Sequence, residues 1–223
     1  MANYNLDVLD CIEEGFERAC GGVRELRTGY DYRTARRSLN LLLMEWANRG
    51  LNLWTLEQGV IPLVKGVASY QLPATTVDVI EYYLRTTEGG TVRDQEMTRV
   101  SVSTFASVAN KTQQGRPQQV YVQRAAPNPS ITLWPVPDRD DYVFVGWRLR
   151  RIGDAAEPGS ATLDVPFRFL PALIAGLAYY IAQKVPEGEH RLQALKIEYE
   201  TQFEMAALED RERATVKIVP KVR

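Results

Sequence analysis

The sequence contains few of the residues from which metal centres are built. Among its 223 residues there is one histidine, His190, and there are two cysteines, Cys11 and Cys20. The cysteines lie nine positions apart on a predicted helix, where roughly 100° per residue points them to opposite faces. They can therefore neither pair locally nor share a metal ion, and one histidine cannot complete a zinc site. We predict no metal and no cofactor.

The motifs of the common enzyme classes are missing as well. The sequence has no phosphate-binding Walker A loop, no dinucleotide fingerprint and no nucleophile elbow. His190 stands between Glu189 and Arg191 at a predicted helix start, where we expect it to be solvated. We therefore predict that the protein is not an enzyme. The alternative is a glycosidase, which needs only two carboxylates at the right separation. The candidate carboxylates are Glu13, Glu14, Glu17, Asp138, Asp140 and Asp141.

The charge balance and the hydropathy exclude further classes. The formal net charge is −1, so there is no global basic field for tight binding of nucleic acid. The first residues contain neither the basic nor the apolar segment of a secretory signal. The longest uncharged stretch, Phe169–Ala182, has 14 residues, which is too short to span a bilayer and indicates a buried helix. We expect no membrane contact.

Helical periodicity marks both ends of the chain. Helices are predicted at about residues 6–19, 32–48, 165–185 and 189–211. The third is apolar nearly all round and should be the central helix, and Pro171 should separate or kink its first turn. The fourth should have a charged back. The apolar stripes of the other three helices are Leu6, Leu9, Ile12 and Phe16; Ala35, Leu39, Leu42, Leu43 and Trp46; and Leu192, Leu195, Tyr199, Phe203 and Ala206.

The middle of the chain predicts five or six short strands separated by turn residues. We expect one hairpin between Glu57–Val64 and Ser69–Leu72, and another between Gln119–Arg124 and Ile131–Trp134. Pro62 restricts its strand to a sheet edge. Further expected elements are a strand at Val79–Arg85 with Ile80, Tyr82 and Leu84 on one face, a longest strand at Tyr142–Ile152, and a short helix at Ser101–Ala109 capped by Ser101 or Ser103.

These blocks predict an α+β fold. Both chain ends should form a four-helix platform, with a small antiparallel β module, a sandwich or an open barrel, inserted in it. The platform is assigned to residues 1–53 and 160–212, the β module to 54–159, and a basic C-terminal tail to 213–223.

Basic residues form local groups without an interleaved aromatic platform, so single-strand nucleic-acid binding is not supported. The candidate interface residues are Arg33, Arg36, Arg37, Arg148 and Arg150. The C-terminal tail carries no acid and favours an extended strand. It either frays without consequence or orders when it binds a partner. Its candidate docking residues are Arg213, Val216, Lys217, Ile218, Val219 and Lys221.

Several short phrases follow one another along about residues 1–210. They are "YRTARRSLNLLLMEWANRGLNLW" from Tyr32 to Trp54, Ser69–Pro73, Val77–Leu84, Gly115-Arg116-Pro117 before Tyr121, Ile131–Asp138, and Pro171–Ala178. In order and spacing they resemble the head-to-tail adaptor family of short-tailed bacteriophages, also called tail accessory factors or tail tubular proteins. The order and spacing of the phrases together are more specific than any one of them.

The resemblance implies a structural ring subunit, usually one of twelve, with a helical bundle and a β module. Such a ring binds beneath the portal protein, forms part of the DNA exit channel and docks the tail nozzle, fibre or spike proteins. The basic residues above would then line the channel or an interface and contact passing DNA transiently. The implied location is the neck or tail of the virion, after synthesis in the host bacterial cytoplasm. No catalytic residue is carried over.

Two other classes stay open. One is a cell-wall peptidoglycan hydrolase carried in the virion, which would use the paired carboxylates. The other is a DNA-binding or regulatory module, which a strongly basic helix or a dimer heptad would have favoured, and the sequence shows neither.

Overall fold

A computed structural model of the chain describes residues 7–22, 29–50, 53–153 and 163–210. The chain divides into two compact units, one formed by Met1–Leu53 with Ile152–Arg223 and one formed by Trp54–Arg151. The described helices of the first unit and the described strands of the second confirm the prediction of an α+β fold. No helix in the described ranges is long and apolar enough to cross a membrane.

The described elements are numbered along the chain. The helices are α1 (Val8–Cys20), α2 (Gly29–Arg49), α3 (Val102–Ala106), α4 (Leu170–Ala182) and α5 (Leu192–Glu209). The strands are β1 (Leu56–Pro62), β2 (Ser69–Gln71), β3 (Thr76–Glu88), β4 (Thr91–Glu96), β5 (Thr98–Arg99), β6 (Gln114–Gly115), β7 (Gln119–Gln123), β8 (Ser130–Trp134), β9 (Val136–Pro137) and β10 (Val143–Arg150).

Local capping fixes both ends of α1. Asp7 and Asp10 accept hydrogen bonds from each other's backbone N–H groups at its start, and Gly21 ends it in the left-handed conformation with φ +78°. The expected position of Leu9 on the buried stripe is wrong, because Leu9 is exposed. The small residues Cys11 and Gly15 also face the core, and they turn the buried face away from Leu9. Leu6 lies outside the described residues.

Helix α4 is the centre of the helical unit, and α1, α2 and α5 all pack against it. Ten of its thirteen residues are buried. A separate 3₁₀ turn at Phe167–Phe169 precedes it, as the position of Pro171 predicted. The predicted buried stripe of α2 is confirmed, since all five of its residues are buried.

Helix α5 differs from its prediction in two ways. It begins at Leu192 and not at Glu189, because Pro186–Arg191 form a 3₁₀ turn that precedes it. Its inner face buries Leu195, Tyr199 and Ala206. The predicted charged back is wrong in part, because exposed apolar side chains lie among the charges of the outer face. These side chains are Ile197, Met205 and Leu208.

The β unit contains two four-stranded sheets, with strand orders β1-β10-β3-β4 and β2-β8-β7-β5. The predicted hairpin of β7 with β8 is confirmed, and β1 lies at a sheet edge as Pro62 predicted. The predicted hairpin of β1 with β2 is wrong, because β1 pairs with β10 and β2 pairs with β8. The Lys65-Gly66 turn carries the chain from one sheet to the other, and it is held by Pro137 O and Asp140.

A register shift between β3 and β10 explains one further difference in this unit. Glu81 of β3 faces Trp147, and Val79 faces Arg148, so Ile80 is an extra residue in its strand. Such a bulge reverses the alternation, and Ile80 is therefore exposed whereas Tyr82 and Leu84 are buried. Strand β3, with 13 residues, is longer than β10, which was expected to be the longest.

One apolar core joins side chains from both large sheets of the β unit, which matches the sandwich alternative of the prediction. Its members include Val79, Leu84 and Phe144 from one sheet and Val120 and Ile131 from the other. The pairs β5–β7 and β6–β9 are parallel, so the module is not wholly antiparallel. Helix α3 begins after Ser101, whose side chain accepts a hydrogen bond from Thr104 N as predicted.

Candidate assembly surfaces

Three arginines project from one side of α2, away from its buried stripe. Arg33, Arg36 and Arg37 follow helical spacing, so they lie together on the surface of the helical unit. Arg33 Nε donates to Gly29 O at 3.2 Å, and Arg37 Nη2 donates to Thr34 Oγ1 at 2.9 Å. The guanidinium of Arg36 lies 5.7 Å from the centre of the Tyr32 ring. The three arginines, which are close in the sequence, therefore also lie close together in the structure.

A concave surface of about 510 Å³ lies along these arginines, and the described residues that line it are Tyr30, Arg33, Arg36, Arg37 and Asn40. A second hollow of about 290 Å³ brings Lys184 close to Arg37. Lys184 Nζ donates to Ser38 Oγ at 2.6 Å. Partial burial lowers the pKa of Lys184, and the positive charge of Arg37 lowers it further. Lys184 and Arg37 line the same hollow, so two positive charges lie close together there and suit a negatively charged partner.

Arg148 and Arg150 belong to the β unit and have a different setting. Both guanidiniums bind the carboxylate of Glu57 on the neighbouring strand, Arg150 Nε at 2.6 Å from Glu57 Oε1. Arg148 also donates to Thr76 Oγ1 at 3.2 Å. Their charge is thus partly neutralised within the subunit. The predicted docking residues of the tail, Arg213, Val216, Lys217, Ile218, Val219 and Lys221, lie outside the described residues.

Three of the six carboxylates that a hydrolase could use have structural partners. Glu14 binds Arg18 at 2.8 Å, and Asp140 accepts a hydrogen bond from Lys65 N at 2.6 Å. Asp141 lies 3.4 Å from Arg139. His190 is exposed, as expected. Within the described ranges, no group of three or more histidine, cysteine or acidic side chains is placed to hold a metal ion.

Sequence reasoning missed a polar network inside the helical unit. Trp46 Nε1 donates to Tyr199 Oη at 2.9 Å, and Tyr199 Oη donates to Glu45 Oε1 at 3.2 Å. Tyr180 Oη donates to the other oxygen of Glu45 at 2.7 Å. Arg49 binds Glu45 and also reaches Glu200 of α5 at 2.7 Å. The network therefore links α2, α4 and α5.

The network perturbs the ionisation of its members. Burial, followed by the hydrogen bond to Glu45, raises the pKa of Tyr180 to about 12. The hydrogen bond to Arg49 lowers the pKa of Glu200. The spacing of Glu45 and Arg49 at i and i+4 was the one sequence signal available, but the contacts to Tyr199 and Glu200 join residues about 150 positions apart.

The outer faces of α2 and α5 differ most from the surface that the sequence predicts, because they expose apolar side chains. On α2, Leu41 and Met44 are exposed beside the arginines, and on α5 three apolar side chains are exposed among glutamates. Exposed apolar side chains grouped on one face are typical of protein–protein contacts. The geometry of the helical unit therefore suits assembly with other chains.

The comparisons with known proteins agree with this reading. A model of the SU10 adaptor protein family matches residues 18–220 of the chain. The matched range covers most of the helical unit and all of the β unit. No curated protein gives a match.

Proposed function

The chain belongs to the SU10 adaptor protein family, a family of phage head-to-tail adaptors, and we propose that it is a ring subunit. In this proposal twelve copies bind beneath the portal protein, extend the DNA exit channel and present a docking surface for the tail. The observation that carries the proposal is the family match over residues 18–220. A structural adaptor role and a place in the neck or tail of the virion follow from the family itself.

The proposed partners are further copies of the chain, the portal protein, and a tail nozzle, fibre or spike protein. Interaction with portal and tail components is implied by the family, and the copy number and the individual contacts are our proposal. Passing DNA would be contacted transiently, because the net charge of −1 gives a channel wall without strong attraction for phosphates. The pairing of Arg148 and Arg150 with Glu57 supports a weak grip of this kind.

The subunit is proposed to be monomeric alone and to form its ring on the portal. We further propose that the tail, residues 213–223, orders on the portal or on a neighbouring copy. Four basic side chains without an acid would suit an acidic partner surface, and binding would weaken as salt rises. Deletion of residues 213–223 should then reduce co-sedimentation with the portal at low salt more than at moderate salt. Unchanged binding at both salts would contradict a docking role.

Electron microscopy of the purified protein, mixed with the portal protein of the same phage, tests the whole proposal. We expect portal particles that carry an additional ring with one subunit per portal chain. Sedimentation of the protein without the portal should give a monomer. Portal particles that stay bare at saturating concentration would contradict the proposed function, and a stable large ring without the portal would contradict the order of assembly.

A further inference from the structure

Two outer faces of the helical unit carry apolar side chains that their own subunit does not bury. On α2 these are Leu41 and Met44, and on α5 they are Ile197, Met205 and Leu208. All five side chains are between 51% and 59% exposed. On each helix the spacing places them along one stripe, opposite the residues that pack on α4. Both helices are therefore apolar on two sides.

The two stripes are bordered by charges of opposite sign. Helix α2 contains four arginines and two acids, a net charge of +2, whereas α5 contains one lysine and four glutamates, a net charge of −3. Within the subunit Arg49 binds Glu45 and Glu200, and Glu198 binds Arg18, so the rim charges that matter here are Arg33 and Arg37 on α2 and Glu204 on α5. Arg37 is exposed one turn before Leu41, and Arg33 is exposed one turn before Arg37, while Glu204 is exposed next to Met205. Lys184 adds to the positive charge near Arg37. Each face thus has an apolar centre, with a rim complementary to that of the other.

We infer that the outer face of α2 in one copy binds the outer face of α5 in the next copy. The inference rests on the proposed ring and identifies the surface through which its subunits meet. The two faces differ, so the contact is heterologous and leaves one free face of each kind on every pair of copies. Such a contact can close a ring, and the apolar stripe of α5 from Ile197 to Leu208 offers a face about 17 Å long to it. Arg33 and Arg37 then belong to the subunit interface and not to the channel wall.

Paired cysteines test which faces meet. Leu41→Cys on α2 and Ile197→Cys on α5 are introduced separately and together in the full chain, with Cys20→Ser as the background. Cys11 can stay, because it is buried and its pKa is raised to about 12 by burial and by the charges of Asp10 and Asp7. The proteins are oxidised at high concentration, alone and with the portal protein of the same phage, and separated without reductant.

We expect a mixture of the two single variants to form a disulfide-linked dimer about tenfold more than either variant alone, since only unlike faces attract. The double variant should form a ladder of linked oligomers. The control mixture combines Leu41→Cys with Val102→Cys in place of Ile197→Cys. Val102 is exposed on α3 in the β unit, outside the proposed contact. Equal dimer yields from one single variant alone, or from the control mixture, would overturn the inference in favour of a symmetric or random contact.

Charge exchange provides a second, independent test. Arg37→Glu and Glu204→Arg should each reduce the linked product about tenfold, because like charges then meet across the rim. The double variant in one chain should restore it. A double variant as poor as the single variants would contradict the contact. If rings form on the portal but the double cysteine variant gives no ladder of linked oligomers, this inference is wrong and the proposed function stands. If the ladder forms but the portal particles stay bare, the proposed function is wrong and the contact stands.

Discussion

The two units of the chain keep their structures in different ways. The helical unit holds a polar network that begins at the buried side chains of Trp46 and Tyr199 and ends at the surface. At its outer end Arg49 lies 4.6 Å from the centre of the Phe203 ring while it binds Glu45 and Glu200. The β unit has an apolar core shared by two sheets. Ion pairs such as that of Arg85 with Asp94 lie at its surface, with both side chains 38% exposed.

The origin of this difference lies in the path of the chain. The helical unit joins segments from both chain ends, and its network is satisfied only when α2 and α5 meet in the observed register. The β unit is one continuous stretch, Trp54–Arg151, whose strand ladders fix the register through backbone hydrogen bonds. Side-chain hydrogen bonds thus fix the register of the helices in the helical unit, whereas backbone hydrogen bonds fix the register of the strands in the β unit.

The largest expected effect comes from a charge buried in α4, which should unfold the helical unit and leave the β unit folded. Leu173 is fully buried, and Leu173→Asp should leave an unpaired carboxylate in the helical core at a cost of about 3–5 kcal/mol. We expect hydrogen exchange followed by mass spectrometry to show lost protection in α1, α2, α4 and α5, while β3 and β10 stay protected. The matched control is Leu9→Asp, because Leu9 is exposed on α1. A soluble Leu173→Asp protein with one cooperative transition at the wild-type temperature would contradict the four-helix core.

The second prediction uses two glycines that face each other in the β unit. Gly59 of β1 and Gly146 of β10 are register partners. A Cβ atom added at Gly146 would lie 2.9 Å from Phe144 Cε1 and 3.0 Å from Val79 Cγ1, whereas at Gly59 the nearest atom is 3.7 Å away. Gly146→Ala should therefore lower the free energy of unfolding by about 1–3 kcal/mol through overpacking. Gly59→Ala should change it little. Urea denaturation measures both, and equal losses would show that the core of the sandwich is not the cause.

The sequence also predicts the helical unit and the β unit to different extents. The elements of the helical unit are read from local spacing, and the apolar buried residues of α2 are all anticipated, because a 3.6-residue period needs no knowledge of the partner. The buried Ser38 was not anticipated, because a polar side chain is not part of an apolar pattern. In the β unit the local alternation predicts strands but not their partners. The wrong pairing of β1 with β2 shows this, since neighbouring short strands can enter different sheets. The bulge at Ile80 leaves no periodic signal either.

The residues of the candidate surface were likewise predictable only where local spacing was sufficient. The arginines of α2 were found because three basic residues at helical spacing must lie together. The outer apolar stripe of α5 was missed, because Ile197, Met205 and Leu208 look like ordinary residues of a helix whose inner stripe is already complete. Only the packing on α4 shows that these side chains have no place in the subunit core. Exposure of an apolar residue is a property of the fold and not of the sequence pattern.

The third prediction compares a buried hydroxyl with an exposed one. Tyr199→Phe removes the acceptor of Trp46 Nε1 and a donor to Glu45 inside the helical unit. We expect a loss of about 1.5 kcal/mol in the free energy of unfolding, because the buried indole N–H is left without a partner. Tyr70→Phe is the matched change in the β unit, where Tyr70 Oη bonds the backbone of Val64 and Val67 at the surface.

Water can replace the hydroxyl of Tyr70, so the loss there should be smaller than at Tyr199. Thermal denaturation of the two variants at pH 7 measures the difference. An equal loss at both positions would indicate that the network of the helical unit adds nothing beyond ordinary hydrogen bonds, and it would remove the contrast between the two units.

The smallest expected effect concerns two carboxylates, one from each unit. A hydrogen bond from Arg49 lowers the pKa of Glu200, and a hydrogen bond from Arg85 lowers the pKa of Asp94. A carboxyl whose pKa is lower in the folded protein stabilises it above the ordinary carboxyl range, and this contribution is lost as the pH falls through the folded pKa. Glu200→Gln and Asp94→Asn should therefore both destabilise the protein at pH 7, begin to approach the wild type as the pH falls through the ordinary carboxyl range, and converge on it only below the lowered folded pKa of each carboxyl.

Salt should then separate the two carboxylates. Arg49 is covered on one side by the rings of Tyr199 and Phe203, so its attraction for Glu200 is only partly screened. The side chain of Arg85 is 38% exposed and that of Arg49 is 26% exposed, so the pair of Arg85 with Asp94 should be screened more fully. Raising the salt concentration at pH 7 should abolish the effect of Asp94→Asn on the melting temperature and leave most of the effect of Glu200→Gln. The same salt response in both variants would mean that the ring-covered network of the helical unit holds its charges no more firmly than the open surface of the β unit.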